Sequence, residues 1–250
     1  MVKGILSHLL KRDEAPKTGE LVIDGRSLPV TFRRRRDARR VILRLDREKD
    51  GIVLTLPPGM STHTALEFAA KQAGWIWTRL AKAPERVPFE PGNLVPLRGV
   101  DHAIVHEPSP RGLVRVSLEH DETPALVVPG DPRFVARRLT DYLKAQARAD
   151  VLARSHVHAA AMDARFVKVT VKDTQSRWGS CSTDGNLNYS WRLIFAPPFV
   201  LDYVCVHEVA HLKEMNHGPR FWSLVDRHCE RHEEARRWLR RESARLQRYG

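Results

Sequence analysis

His207 and His211 stand four residues apart in the stretch YVCVHEVAHLKEMNHGPRFW, with Glu208 between them and a third histidine, His217, six residues further on. On a helix each residue advances about 100°, so residues four apart lie only about 40° apart, one turn above the other. His207 and His211 can therefore bring two imidazole nitrogens to one ion. Glu208 lies about 100° round from His207, too far sideways for a natural third ligand but able to reach a water held there. That division of labour, two zinc ligands and a general base, is the logic of H-E-x-x-H.

A catalytic zinc site commonly takes three protein ligands and keeps the fourth position for water. His217 is the preferred third ligand, with Glu214, Asp226 and Glu230 as acidic alternatives. The spacing predicts a helix ending near Met215–Asn216, where Asn216 in the left-handed conformation turns the chain back. Pro219 suits the first turn of a following helix, whose stripe of Phe221, Leu224 and Val225 anchors the intervening loop. The first helix is apolar on most sides (Val200, Val204, Val206, Val209, Ala210), and burying two histidines and a glutamate there without partners is costly. A metal satisfies all three; core histidines in a structural helix are the bland alternative.

Zinc makes bound water acidic enough to ionise near neutral pH, and Glu208 would take its proton and deliver it to the leaving amine. For the developing oxyanion, Tyr189, Arg192 and Arg220 are all candidates. The histidine spacing equals that of the metzincin pattern H-E-x-x-H-x-x-G-x-x-H. Glu214 stands where that class has glycine, so the helix is expected to run on further, against membership. His156, His158, His228 and His232 read as surface or core residues, not ligands.

The elements that must position this site read as follows. LVIDGRSLPVTF and VILRLDREKDGIVLTL each place Asp-Gly between apolar runs, a hairpin signature at Asp24-Gly25 and Asp50-Gly51. Ser61 or Thr62 caps one helix carrying Leu66, Ala69, Ala73, Ile76 and Leu80, closed by Pro84. Short β-like runs follow to residue 130, and Asp131-Pro132 opens a long helix. Val167, Val169 and Val171 share one strand face, and Leu187, Tyr189, Trp191, Leu193 and Phe195 another, with a turn at Asp184-Gly185 between the strands. Helices follow from Phe199. This order is α+β. It divides into an extension at 1–18, a β-rich region with one helix at 19–130, and a site-bearing domain at 131–250.

With 42% hydrophobic residues the chain can pack a core. No apolar run approaches the roughly 20 residues of a membrane span, and the N-terminus lacks the cleavage site of a signal peptide. Cys181, Cys205 and Cys229 are odd in number and scattered, which points to a reducing compartment, the cytoplasm. The net charge of +12 is concentrated in TFRRRRDARR, which holds Arg33–Arg36, and in the C-terminal helix from Arg227 to Arg248. Each is either a solvated face or a docking site for DNA or another polyanion.

The segment from Gln175 to Trp222 also resembles a known family. RWGSCS (Arg177 to Ser182), WRLI followed by APP, the HEVAH helix and NH-x-P-x-FW are similar to the YgjP-like metallopeptidases, relatives of the SprT-like zinc peptidases. The resemblance implies a compact zincin-like, minimal gluzincin-type domain with the HEVAH helix under a small β-sheet. It implies His207, His211 and His217 as ligands of one Zn²⁺ and Glu208 as catalytic base. It also places Arg177, Trp178, Gly179 and Ser180 beside the substrate cleft. Trp178 and Gly179 suit a strand packed tightly over a helix, and a free strand edge can pair with an extended peptide; plain core packing is the alternative. Cys181 reads as a small buried residue.

The reading is thus a zinc peptidase acting on cytoplasmic proteins. A metal-dependent nucleotide hydrolase and a non-catalytic zinc module that binds nucleic acid are the alternatives, the last disfavoured by the intact Glu208. SprT-like relatives that act on DNA-bound proteins make a peptidase that also binds DNA conceivable.

Overall fold

The computed structural model describes residues 17–23, 25–46, 51–81, 85–109, 111–118, 123–174 and 177–250. Residues 1–16 of the expected extension, Asp24, Asp50 and Pro84 lie outside them, whereas Thr18, expected in the extension, already belongs to a strand. The chain forms two units, one up to Ala83 and one from Pro84.

In the first unit, β1 (Thr18–Ile23), β2 (Arg26–Arg34), β3 (Ile42–Asp46) and β4 (Gly51–Leu56) form a sheet in the order β1-β2-β4-β3. Both expected antiparallel strand pairs are present, with Ile23 opposite Arg26 and Asp46 opposite Gly51, so Gly51 begins β4 and is not in the second turn as expected; β2 and β4 run parallel. A Cβ on Gly51 would lie 2.3 Å from the Pro29 carbonyl oxygen, so glycine is required for these strands to approach. The expected single helix is two, α1 (Thr62–Ala70) and α2 (Ala73–Ala81). The Ser61 hydroxyl caps α1 by accepting from the Thr64 amide at 3.0 Å. The break falls where the Lys71 and Gln72 amides both turn back to the Ala69 carbonyl. Ala65, Ala69 and Ile76 still share the core with Leu28, Ile52, Leu54 and Leu56, so the periodicity survives the break.

In the second unit, β5 (Leu94–Leu97), β6 (Val100–Glu107), β7 (Arg115–Ser117) and β8 (Ala125–Pro129) form a sheet in the order β5-β6-β8-β7. Asp131 caps a short 3₁₀ turn leading into α3 (Val135–Ala161). Val95, Leu97, Ile104, Leu126 and Val128 share one core with Leu139, Leu143, Ala147 and Val151 of α3. The expected boundary at 130/131 therefore cuts through a single core, and the division falls at 83/84 instead.

The sheet nearest the motif contains β9 (Lys168–Lys172), β10 (Gly179–Cys181) and β11 (Asn186–Ser190) in the order β10-β11-β9. Gly185 makes the expected turn at φ 74°. Val169 is buried, whereas Val167 lies before the strand and is exposed. The strand expected through Phe195 stops at Ser190, and Trp191–Phe195 coil into 3₁₀ turns. All five of those residues are buried, so a two-residue alternation has no solvent side to select it there. Three helices complete the unit: α4 (Pro198–Ala210), α5 (Pro219–His228) and α6 (His232–Leu246). Among the described residues no helix is long and apolar enough to cross a membrane.

Candidate metal centre

Helix α4 packs against α3, α5, α6 and β10, which explains why it is apolar on nearly every side. His207 lies in its last turn and His211 is its C-cap. The helix thus ends at Ala210, five residues before the expected Met215, and Asn216 is not left-handed. The cause is the second histidine itself. Its Nδ1–H donates to the Glu214 carbonyl at 3.1 Å while the Glu214 amide returns to the Ala210 carbonyl at 3.0 Å, closing a tight turn. A longer helix was the ground for setting the metzincin pattern aside, and that ground does not hold.

The turn sends the chain back so that His217 meets the other two. The Nε2 atoms of His207 and His217 are 3.1 Å apart. One ligand atom from each of His207, His211 and His217 lies within 4.8 Å of the others, whereas Glu214, Asp226 and Glu230 are not in that cluster. Fully buried Phe221 supports all three rings, its centroid 4.9, 4.6 and 4.7 Å from those of His207, His211 and His217. Burial, reinforced by the two neighbouring histidines, pushes the His207 pKa down to about 3. Three imidazoles that each bring a ring nitrogen to one place suit a cation. Two nitrogens on one tetrahedral zinc lie about 3.3 Å apart, given bonds of about 2.0–2.1 Å, so the residues present fit the ion.

Glu208 is buried, and that burial pushes its carboxyl up to about 8, with Arg177 acting in the opposite direction. Of the four expected cleft residues, Gly179 makes the decisive contact. A Cβ there would fall 2.4 Å from Glu208 Oε1, so this glycine has a steric purpose and that purpose is the carboxylate. Arg177 is exposed, and Trp178 Nε1–H donates to Ser243 Oγ on α6 at 3.1 Å. Ser180 alternates to the other face of β10, which is the edge strand of its sheet. Cys181 is half-buried, not buried, and burial followed by Glu208 pushes its thiol up to about 11.

Two of the three oxyanion candidates are committed elsewhere. The Tyr189 hydroxyl is 2.9 Å from Ser155 Oγ in the core, and buried Arg192 donates to Asp173 and the Tyr249 carbonyl. Arg220 is exposed, 4.0 Å from Glu214. Two residues were not foreseen. The Tyr203 hydroxyl stands 3.4 Å from His207 Nδ1; its position one turn before His207 was a readable signal. The Arg236 guanidinium lies 4.6 Å from the Trp222 ring centre, and no spacing foretells that. Neither His158 nor His232 is in the cluster: His158 Nε2 contacts Asp202 at 2.6 Å and His232 Nε2 contacts Asp226 at 3.2 Å.

A model of the YgjP-like metallopeptidase domain matches residues 39–242. The chain belongs to the YgjP-like metallopeptidase family. No curated protein matches it. Among solved structures, the metallopeptidase zymogen abylysin of Pyrococcus abyssi aligns at 21% identity over 40% of this chain and 97% of that one, with a TM-score of 0.34. In this YgjP-like chain the histidine cluster, the buried glutamate and the edge strand belong to one structural unit, between β10 and α5.

Proposed function

We propose that the chain is a zinc-dependent peptidase in which His207, His211 and His217 hold the ion and Glu208 is the general base. The observation that carries this reading is the convergence of three imidazoles beside a buried carboxylate that lies against an edge strand. Zinc, when bound, supplies Lewis acidity that acidifies water and polarises a carbonyl. The protein supplies the rest. The Glu214 carbonyl holds the proton on His211 Nδ1 and so leaves Nε2 as the ligand atom. Burial gives the Glu208 carboxylate a high proton affinity, which suits it to take a proton from water and pass it to a leaving amine. Gly179 leaves room for that carboxylate, and the open edge of β10 can align an extended peptide by backbone pairing. The three unpaired cysteines accord with a cytoplasmic setting.

Metal analysis and peptide hydrolysis, run together on wild type and Glu208→Gln, test the proposal. The expected result is about one zinc per chain in both proteins and cleavage of an unfolded protein substrate by wild type alone. Undiminished cleavage by Glu208→Gln, or failure of the wild-type chain to take up zinc, would overturn it.

A further inference from the structure

We propose that the arginine cluster from Arg33 to Arg40 in the first unit is a docking surface for the phosphate backbone of nucleic acid. Arg33 and Arg34 end β2, the Arg35 amide bonds the Leu56 carbonyl at 3.1 Å, and the Ala38 amide returns to the Arg35 carbonyl at 3.2 Å. Six guanidiniums are exposed between residues 33 and 40, Arg33 and Arg34 at the end of the strand and the others on the turn and just after it. Asp37 engages one of them, accepting from Arg35 at 3.0 and 2.6 Å. Arg33, Arg34, Arg36, Arg39 and Arg40 have no acidic partner among the described residues. Register puts Arg44, which is opposite Val53, on the same sheet face as Arg33, which is opposite Thr55.

The C-terminal helix makes the contrast. There Arg231 pairs with Glu234 at 2.7 Å, Arg236 with Glu233 at 2.6 Å and Arg241 with Glu242 at 2.7 Å. Much of its charge is satisfied within the helix, so the two basic segments that look alike as sequence are not equivalent. Five like charges within eight residues, without an acidic partner among the described residues, create a local potential that a polyanion relieves. The cations are all arginine, whose planar fork matches phosphate in bidentate fashion. Between Arg33 and Arg40 the one apolar side chain is that of Ala38, so the surface has nothing to insert into a bilayer. That favours nucleic acid over a membrane.

The test uses the full chain and a short fluorescein-labelled DNA duplex, with anisotropy followed as salt is raised from about 50 to 200 mM. If each unpaired arginine neutralises one phosphate, log K against log salt has a slope near −4.5, and Arg36→Ala/Arg39→Ala/Arg40→Ala makes it shallower by about 2.7. These side chains are exposed, so the variant is expected to keep the wild-type Tm and zinc content, which separates this test from that of the peptidase. Absence of binding at the lowest salt would overturn the proposal. So would a triple variant that binds like wild type, loss of binding on Arg237→Ala/Arg240→Ala instead, or capture by phosphatidylserine vesicles without capture by DNA.

Discussion

Gly179 and Glu208 belong to different elements 29 positions apart, yet the α-carbon of one is packed against the carboxylate of the other so closely that a single methyl group would sit 2.4 Å from Oε1. The strand therefore sets the position of the carboxylate proposed as the base. Gly179→Ala is expected to fold and keep its metal, because the three atoms nearest the added methyl all belong to Glu208 and none to the histidines, but to displace Glu208. A shift of about 1 Å at a catalytic group can cost on the order of 100-fold in rate. Turnover measured against zinc content checks this; a variant with wild-type turnover would show that the contact does not position the base.

Each of the ligand histidines should be needed for zinc, whereas the groups around them should matter less. His211→Ala and His217→Ala are each expected to abolish stoichiometric zinc, since loss of one ligand leaves two. Glu214→Ala should retain it, because the contact to His211 comes from the Glu214 backbone carbonyl and survives the substitution. Tyr203→Phe removes the hydroxyl 3.4 Å from His207 Nδ1 and should weaken zinc binding by about 10-fold, the scale of a lost outer-sphere partner. Competition with a chromogenic chelator measures all four.

That His207, His211 and His217 come together was partly legible: helical spacing pairs the first two, and Gly218-Pro219 just after His217 marks the restart of the chain that brings back the third. The length of α4 was not. The bond from His211 to the Glu214 carbonyl, which ends the helix early, depends on where a side chain turns in three dimensions. Strand periodicity was legible for Leu187 and Tyr189 but failed from Trp191, where every residue is buried and alternation carries no information. The runs from β5 to β8 were recognisable as strands, but nothing local says which core they join. That core is the one built on α3, which moves the division of the chain to 83/84. A glycine in RWGSC suggests a close approach, but the identity of what approaches needed the fold.

A second polar cluster away from the site should matter for stability alone. Asp202 on α4 accepts from Arg154 at 2.5 Å and lies 2.6 Å from His158 Nε2, joining α4 to α3. Burial pushes the Asp202 carboxyl up, but the bonds from His158 and Arg154 outweigh it and hold the pKa below the ordinary 3.8. Its contribution is therefore present above that ordinary value and lost as pH falls below it. Asp202→Asn is expected to lower unfolding free energy by about 1–3 kcal/mol, the cost of leaving a partly buried pair half-made, with zinc content and turnover per folded molecule unchanged. Urea denaturation above pH 6 measures the loss; an unaltered midpoint would mean the cluster adds nothing.

Without metal, the site's own groups should give the stability of the protein a maximum in mildly acidic solution. Glu208 is raised by burial from 4.5 to about 8, so between those pH values the folded chain keeps a proton that the unfolded chain has released. Stability from this group accordingly falls as pH rises through that window. His207 is lowered by burial and by His211 and His217 from 6.5 to about 3, so between those values the unfolded chain holds a proton that the folded chain refuses. Stability from this group falls as pH drops. The two slopes oppose each other between 4.5 and 6.5, and outside it neither opposes the other; on the acid side His211, also lowered by burial, adds to His207. The Tm of chelator-treated protein should peak within that interval. Glu208→Gln should flatten the decline between pH 6.5 and 8, and zinc should abolish it by drawing the Glu208 proton off at lower pH. A metal-free wild type whose Tm rises steadily from pH 5 to 8 would show that Glu208 is not the buried, proton-retaining group that its contact with Gly179 makes it.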